Sequence, residues 1–156
     1  MPEGRRKDFE GVLKRIANFF PRVGYTQGMN FIVGFLIIIG YSQDDAFWMF
    51  VHTAINRRFL LLGLYEDGFP LNNVFCFVFK NVLRRKNEEL YVHLFEELMI
   101  DVSMWVFKWF MTCFVYSFPL ELGPYALDVI VNLGGLGFVC LAYALTEELG
   151  AKLLEK

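Results

Sequence analysis

Histidine, cysteine and net charge are all scarce in this chain of 156 residues. The two histidines, His52 and His93, have no second histidine, cysteine or paired carboxylate at ligand spacing, so no metal site is expected. The three cysteines, Cys76, Cys113 and Cys140, are far apart in apolar sequence and form no Cys-x-x-Cys pair. They read as buried thiols in a reducing compartment, not as a disulfide frame or zinc site. Fifteen Lys and Arg against seventeen Asp and Glu leave a net charge of −2 without a basic stripe, which argues against nucleic acid as the main partner. Gly-x-Ser-x-Gly, Gly-Lys-Ser/Thr and His-Glu-x-x-His do not occur. Gly134-Gly135-Leu136-Gly137 is no dinucleotide fingerprint, because no strand leads into it and the spacing is wrong; it reads as a helix break. The first 28 residues are polar and charged, so no secretory signal is expected.

Apolar residues are plentiful. They make up 56% of the chain, with 18 phenylalanines, and the mean hydropathy is +0.40. A membrane span therefore has to be considered. Met29–Gly40 is too short to cross about 30 Å of hydrocarbon as a helix. Met104–Phe118 is interrupted by Lys108, and Tyr125–Leu145 carries Asp128, Asn132 and three glycines. A charge inside a span costs roughly 2.5–3.5 kcal/mol. The expectation is no transmembrane segment, with these runs buried inside one helical core.

The periodicity is helical throughout. Phe9, Val12, Leu13, Ile16, Phe19 and Phe20 share a face over Asp8–Phe20, which Pro21 ends. Met29–Ile39 forms an apolar helix closed by Gly40. Ser42 to Asp45 fits a capping box before a helix burying Phe47, Phe50, Val51, Ala54 and Ile55. Pro70 suits a first turn, and Leu71, Val74, Phe75, Val78, Phe79, Val82 and Leu83 continue it. Arg84, Arg85 and Lys86 read as a solvated helix end. Asn87 reads as an N-cap for a helix to about Leu98. Further helices are expected over Ser103–Ser117, Pro124–Leu133 and Leu136–Glu155, with Gly150 a weak point. Glu96-Glu97 and Glu147-Glu148 read as exposed helix acids. No alternating strand pattern, repeat or second domain is visible. The expectation is one all-α domain over residues 1–156, with 1–7 a flexible start. Trp109 and Phe110 are expected in or near its core.

One loop differs from the rest: Val23-Gly24-Tyr25-Thr26-Gln27-Gly28-Met29-Asn30. Gly24 and Gly28 bracket Gln27 just before an apolar helix. A glutamine amide donates and accepts together, so it can orient a water molecule without a change of charge. The alternative is an ordinary glycine-bearing helix start.

Gly24-Tyr25-Thr26-Gln27-Gly28-Met29-Asn30 resembles the Tyr-x-Gln-Gly-Met motif of the TBC-domain family of Rab GTPase-activating proteins. Ala46-Phe47-Trp48-x-Phe50, Leu64-Tyr65 and Phe69-Pro70 resemble the segments that follow that motif. Lys108-Trp109-Phe110-Met111-Thr112-Cys113-Phe114 with Phe118-Pro119-Leu120-Glu121 resembles the family's Trp-Phe run and Leu-Pro turn. Asp128 and Gly134 or Gly135 fit its late Trp-Asp block, where Ala126-Leu127 replace the usual Ile-Trp. The likeness extends from about Asp8 to Leu149.

The resemblance implies a multi-helix orthogonal domain that binds a Rab-family GTPase in the cytoplasm, recruited to endomembranes through the Rab in vesicle trafficking. It implies Gln27 as a catalytic glutamine finger, with Gly24, Tyr25, Thr26, Gly28, Met29 and Asn30 forming the GTPase-binding loop. No cofactor of its own is implied, since GTP and magnesium belong to the GTPase. The family's arginine finger lies in an upstream Ile-x-x-Asp-x-x-Arg motif, which this chain lacks: Gly11, not arginine, follows Asp8 by three positions. Arg5, Arg6, Arg15 and Arg22 stand in other contexts. An N-terminally truncated domain is therefore expected, and a Rab-binding or scaffold module without catalysis is the alternative.

Overall fold

The computed structural model describes residues 3–59 and 61–154. Eight α-helices follow one another: α1 Glu3–Phe19, α2 Met29–Ile38, α3 Gln43–Ile55, α4 Pro70–Lys86, α5 Glu88–Val92, α6 Val106–Met111, α7 Gly123–Leu133 and α8 Gly135–Leu154. No strand occurs among the described residues, and the all-helical expectation holds. α1, α2 and α3 pack on one another, while α4 lies against α5, α6 and α8.

The N-terminal layer follows its apolar stripe. Val12 and Ile16 of α1 are fully buried, as are Met29 and Val33 of α2 and Ala46 and Val51 of α3. The Ser42 hydroxyl accepts from the Asp45 amide at 3.1 Å and so caps α3. Phe19, expected inside, is nearly half exposed, its ring set edge-on to Phe20, Phe47 and Trp48. Ile55 is likewise exposed at the end of α3, where the chain turns away.

The second half centres on aromatic packing. Phe75 of α4 stacks on Phe138 of α8 with ring centroids 4.9 Å apart, and meets Phe110 of α6 edge-on at 5.5 Å. Phe79, Phe110, Phe114 and Phe138 are fully buried. α7 and α8 meet at a corner only glycine permits. Gly134 has φ +63, and a Cβ on it would come within 2.5 Å of the Arg58 carbonyl oxygen. A Cβ on Gly137 would lie 2.8 Å from the Val129 carbonyl oxygen.

Several elements differ from the sequence expectation. α1 starts at Glu3, five residues before Asp8; of the expected flexible start, residues 1 and 2 lie outside the described residues. α5 ends at Val92 and continues as one wider turn, His93–Glu97, before Met99 takes a left-handed φ of 50°. The helix expected over Ser103–Ser117 is only α6, preceded by a tight turn at Val102–Met104. After Thr112 the chain turns through left-handed Cys113 and Phe114, at φ 47° and 65°. Such geometry costs roughly 1–2 kcal/mol per residue. Burying both side chains offsets it: Phe114 sits between Phe110, Phe118 and Phe138. α8 runs without a break through Gly150, where Leu90 occupies the space a side chain would need. Glu155, the expected end of that helix, lies outside the described residues.

Phe110 is fully buried, whereas Trp109 is half-buried against Trp105 and Phe114. Phe110→Ala is expected to destabilise by roughly 3–5 kcal/mol and Trp109→Ala by less, read as shifts of the urea midpoint.

The thiols also divide. Cys76 and Cys113 are buried but Cys140 is exposed on α8, against the expectation of three buried thiols. Burial pushes the Cys113 thiol up from 9.0 to about 12. An alkylating reagent at neutral pH should modify Cys140 and spare Cys76 and Cys113 until the protein unfolds. Because the folded-state value is raised, the contribution of Cys113 to stability is intact below 9.0 and falls as pH climbs towards 12. Thermal melts across that range check the direction.

Candidate functional site

Pro21 ends the helical run, and the amides of Val23 and Gly24 both donate to the Phe20 carbonyl, at 3.0 and 2.8 Å. Gly24 takes φ +67, which turns the chain towards Gln27. Gln27 and Tyr25 are exposed, while Met29 is fully buried and pins the end of the loop to the core. The Gly28 amide donates to Asn30 Oδ1 at 3.0 Å, and the Thr26 hydroxyl donates to the Tyr65 carbonyl at 3.2 Å.

Gly28 is fixed by close approach. Its φ is +118, and a Cβ there would lie 2.7 Å from the Met111 carbonyl oxygen and 3.2 Å from the Tyr65 ring. The same carbonyl accepts the Tyr65 hydroxyl at 2.9 Å. Tyr65 is buried, and burial, reinforced by Cys113, holds its phenol well above the ordinary value of 10.0. It therefore stays a neutral donor. The glutamine loop, Tyr65 and the end of α6 form one connected unit.

Beside that unit lies a cleft of about 450 Å³, with Gln27 on its wall. Thr26, Gly28 and Phe31 continue that wall, Phe69 adds an aromatic ring, and Phe107, Lys108, Met111, Thr112 and Tyr116 complete the lining. Phe69 and Phe107 meet edge-on at 5.2 Å, and Phe31 meets Tyr116 at 4.5 Å. The Asn72 amide donates to the Phe107 carbonyl at 3.2 Å and ties α6 to α4. Lys108 Nζ lies 3.6 Å from the Tyr116 ring centroid. Among the described residues the Lys108 ammonium is the one charged group in this lining.

Sequence reasoning singled out the glutamine loop but missed Phe31, Phe69, Phe107, Lys108 and Tyr116 as its neighbours. The one available signal was Lys108, a charge inside an otherwise apolar run. The residues of the site are thus brought together from α2, α6 and the connecting segments at residues 26–28, 69 and 112–116, and Gly24, Tyr25, Met29 and Asn30 stand outside the cleft lining.

The arginines are mostly engaged elsewhere. Arg5 donates to the carbonyls of Ile37 and Ile38 at 2.7 and 3.2 Å, at the opposite end of α2 from Gln27. Ten helical residues separate these ends by roughly 15 Å at 1.5 Å per residue. Arg6 pairs with Glu10, and Arg15 pairs with Asp44 while its guanidinium lies over the Phe47 ring. Arg22 is exposed on the glutamine loop and forms no ion pair among the described residues.

His93 pairs with Glu97 and His52 lies beside Trp48. Among the described residues no cluster of three or more metal-type side chains occurs, and no helix is long and apolar enough to cross a membrane.

An open cleft with an exposed glutamine on its wall, set in a frame of packed helices, marks an all-helical domain with one well-formed candidate site. Residues 3–154 match the Rab-GTPase-TBC domain family, and the chain belongs to it. The chain is 33% identical over 130 residues to GTPase-activating protein GYP5 of Eremothecium gossypii, covering 83% of this chain and 15% of that protein. It is 30% identical over 128 residues to GTPase-activating protein GYP5 of Saccharomyces cerevisiae, covering 82% of this chain and 14% of that one. It is 30% identical over 147 residues to growth hormone-regulated TBC protein 6 of Caenorhabditis elegans, covering 92% of this chain and 42% of that protein. The chain thus spans between 14% and 42% of the length of these relatives.

Gly28→Ala should strain the loop and drive a methyl into the Met111 carbonyl. A loss of roughly 1–3 kcal/mol from the backbone conformation alone is expected, before the clash is counted. Urea unfolding measures the loss, and amide exchange of residues 25–30 shows whether it is local.

Proposed function

We propose that this domain binds a Rab-family GTPase and that Gln27 enters the nucleotide site of that GTPase to orient the hydrolytic water. The observation that carries this reading is an exposed Gln27 on a loop held rigid by Gly28, Met29 and the Tyr65–Met111 hydrogen bond. A finger that acts in trans needs a free amide on a fixed backbone, because positioning is its whole contribution. Gly24, Tyr25, Thr26, Gly28, Met29 and Asn30 act as its GTPase-binding loop. The domain brings no cofactor: GTP and magnesium stay with the GTPase. It works in the cytoplasm and reaches endomembranes through the Rab.

A second reading has its own observation. Residues 1–156 contain no Ile-x-x-Asp-x-x-Arg, and Arg5, Arg6 and Arg15 are engaged away from Gln27. An arginine finger is worth roughly 10³–10⁵ in rate, about 4–7 kcal/mol of barrier. A neutral glutamine cannot neutralise charge on the transferring phosphate. Acting alone, these residues would then serve as a Rab-binding or scaffold module.

Single-turnover GTP hydrolysis by a panel of Rabs decides between them. Residues 1–156 are expected to bind GTP-loaded Rab and accelerate hydrolysis feebly. Strong acceleration that disappears in Arg22→Ala would make Arg22 the missing finger. In any longer form of the protein that carries an arginine motif and is active, Gln27→Ala should remove most of the activity. Full activity in that variant would remove Gln27 from the mechanism.

A further inference from the structure

The cleft beside Gln27 is apolar with a single charge. Phe31, Phe69 and Phe107 are among its aromatic residues and Met111 joins them, while among the described residues no carboxylate lines it. At about 450 Å³ it is large enough for protruding side chains, within the roughly 300–1,000 Å³ of ordinary ligand clefts.

Lys108 is placed and left available. α6 begins at Val106, so Val106 and Phe110 turn into the core while Phe107 and Lys108 reach the cleft. The ammonium rests on the Tyr116 ring, which Phe31 braces edge-on. A cation over a ring face is held by the ring quadrupole while its N–H donors stay free for an acceptor. The ion pairs among the described residues are Arg6–Glu10, Arg15–Asp44 and His93–Glu97, and none takes up Lys108.

Resting on the Rab-binding reading above, we propose that Lys108 is a partner-recognition residue. It pairs with a carboxylate that the GTPase presents next to an apolar side chain seated in this cleft. Charge complementarity decides the occupant. A phosphate chain would satisfy the ammonium but leave the phenylalanine and methionine walls facing water. A polypeptide segment with an apolar side chain beside an Asp or Glu satisfies both. Lys108 then acts in the bound ground state and contributes to partner choice and to the rate of encounter.

Equilibrium binding of the complete protein to GTP-loaded Rabs, across a salt series, tests the assignment. Lys108→Met is expected to weaken binding about 2- to 5-fold near physiological salt, the range of an exposed ion pair. That difference should vanish near about 1 M salt, where the screening length falls to about 3 Å. Lys108→Arg should retain most of the affinity, Lys108→Glu should lose more than Lys108→Met, and an Asp or Glu to Lys change on the Rab should rescue Lys108→Glu. Wild-type binding with Lys108→Met unchanged in affinity and salt dependence overturns the assignment and leaves the function standing. Unchanged affinity with slowed hydrolysis also overturns it, and places the ammonium on the nucleotide. A wild-type protein that binds no GTP-loaded Rab overturns the functional reading, and this assignment with it.

Discussion

The contact of Gly28 with the Met111 carbonyl is the constraint on which the site depends. That oxygen lies where a Cβ would have to stand, and it also accepts the Tyr65 hydroxyl. One backbone atom at the end of α6 therefore sets the height of the glutamine loop and the position of the segment before α4. The rest follows from keeping that atom in place. α6 is short, the left-handed turn at Cys113 and Phe114 closes it, and Asn72 holds its first turn against α4. The aromatic cluster of Phe75, Phe110 and Phe138 gives α6 a rigid floor.

This arrangement separates two roles that one loop would otherwise have to combine. Met29 and Gly28 are buried and fixed, whereas Gln27 is exposed. Buried, fixed backbone thus reaches to within one residue of the exposed amide. The cleft next to it takes one wall from this loop, at Thr26, Gln27 and Gly28, and its other walls from α2, α6 and the segments at Phe69 and Tyr116. Such graded support suits the function proposed above, in which only position has to be supplied from this side.

The local parts of this design are legible in sequence, and the close approaches are not. The stripes of α1 and α4 are plain from Val12, Ile16, Phe75, Phe79 and Leu83 at helical spacing, and all five are buried. Ser42 and Asn87 announce their caps through side-chain chemistry, and both accept the expected amide. The glutamine loop shows itself through two glycines and a family likeness. What sequence cannot reveal is why Gly28 is glycine, because the reason lies in a carbonyl 83 positions away. The length of α6 is hidden for a similar cause. Every residue from Trp105 to Phe114 tolerates a helix, and the competing turn buries Phe114 against Phe110, Phe118 and Phe138. The cleft walls come from loops and helix ends whose neighbours are decided by packing.

The distance along the chain between Tyr65 and Met111 also bears on the order in which the molecule becomes itself. α1, α2 and α3 contact close sequence neighbours, and a core built on short separations closes at little entropic cost. The hydrogen bond from Tyr65 to Met111 closes 46 positions, and Gly28 rests on the same oxygen from farther still. The shape of the glutamine loop therefore depends on α6 being docked, because the carbonyl that Gly28 rests on belongs to α6. In a growing chain, residues 20–30 leave the ribosome well before Met111, whose carbonyl Gly28 rests on. A product that stops short of α6 would carry Gln27 without the backbone contact that shapes its loop.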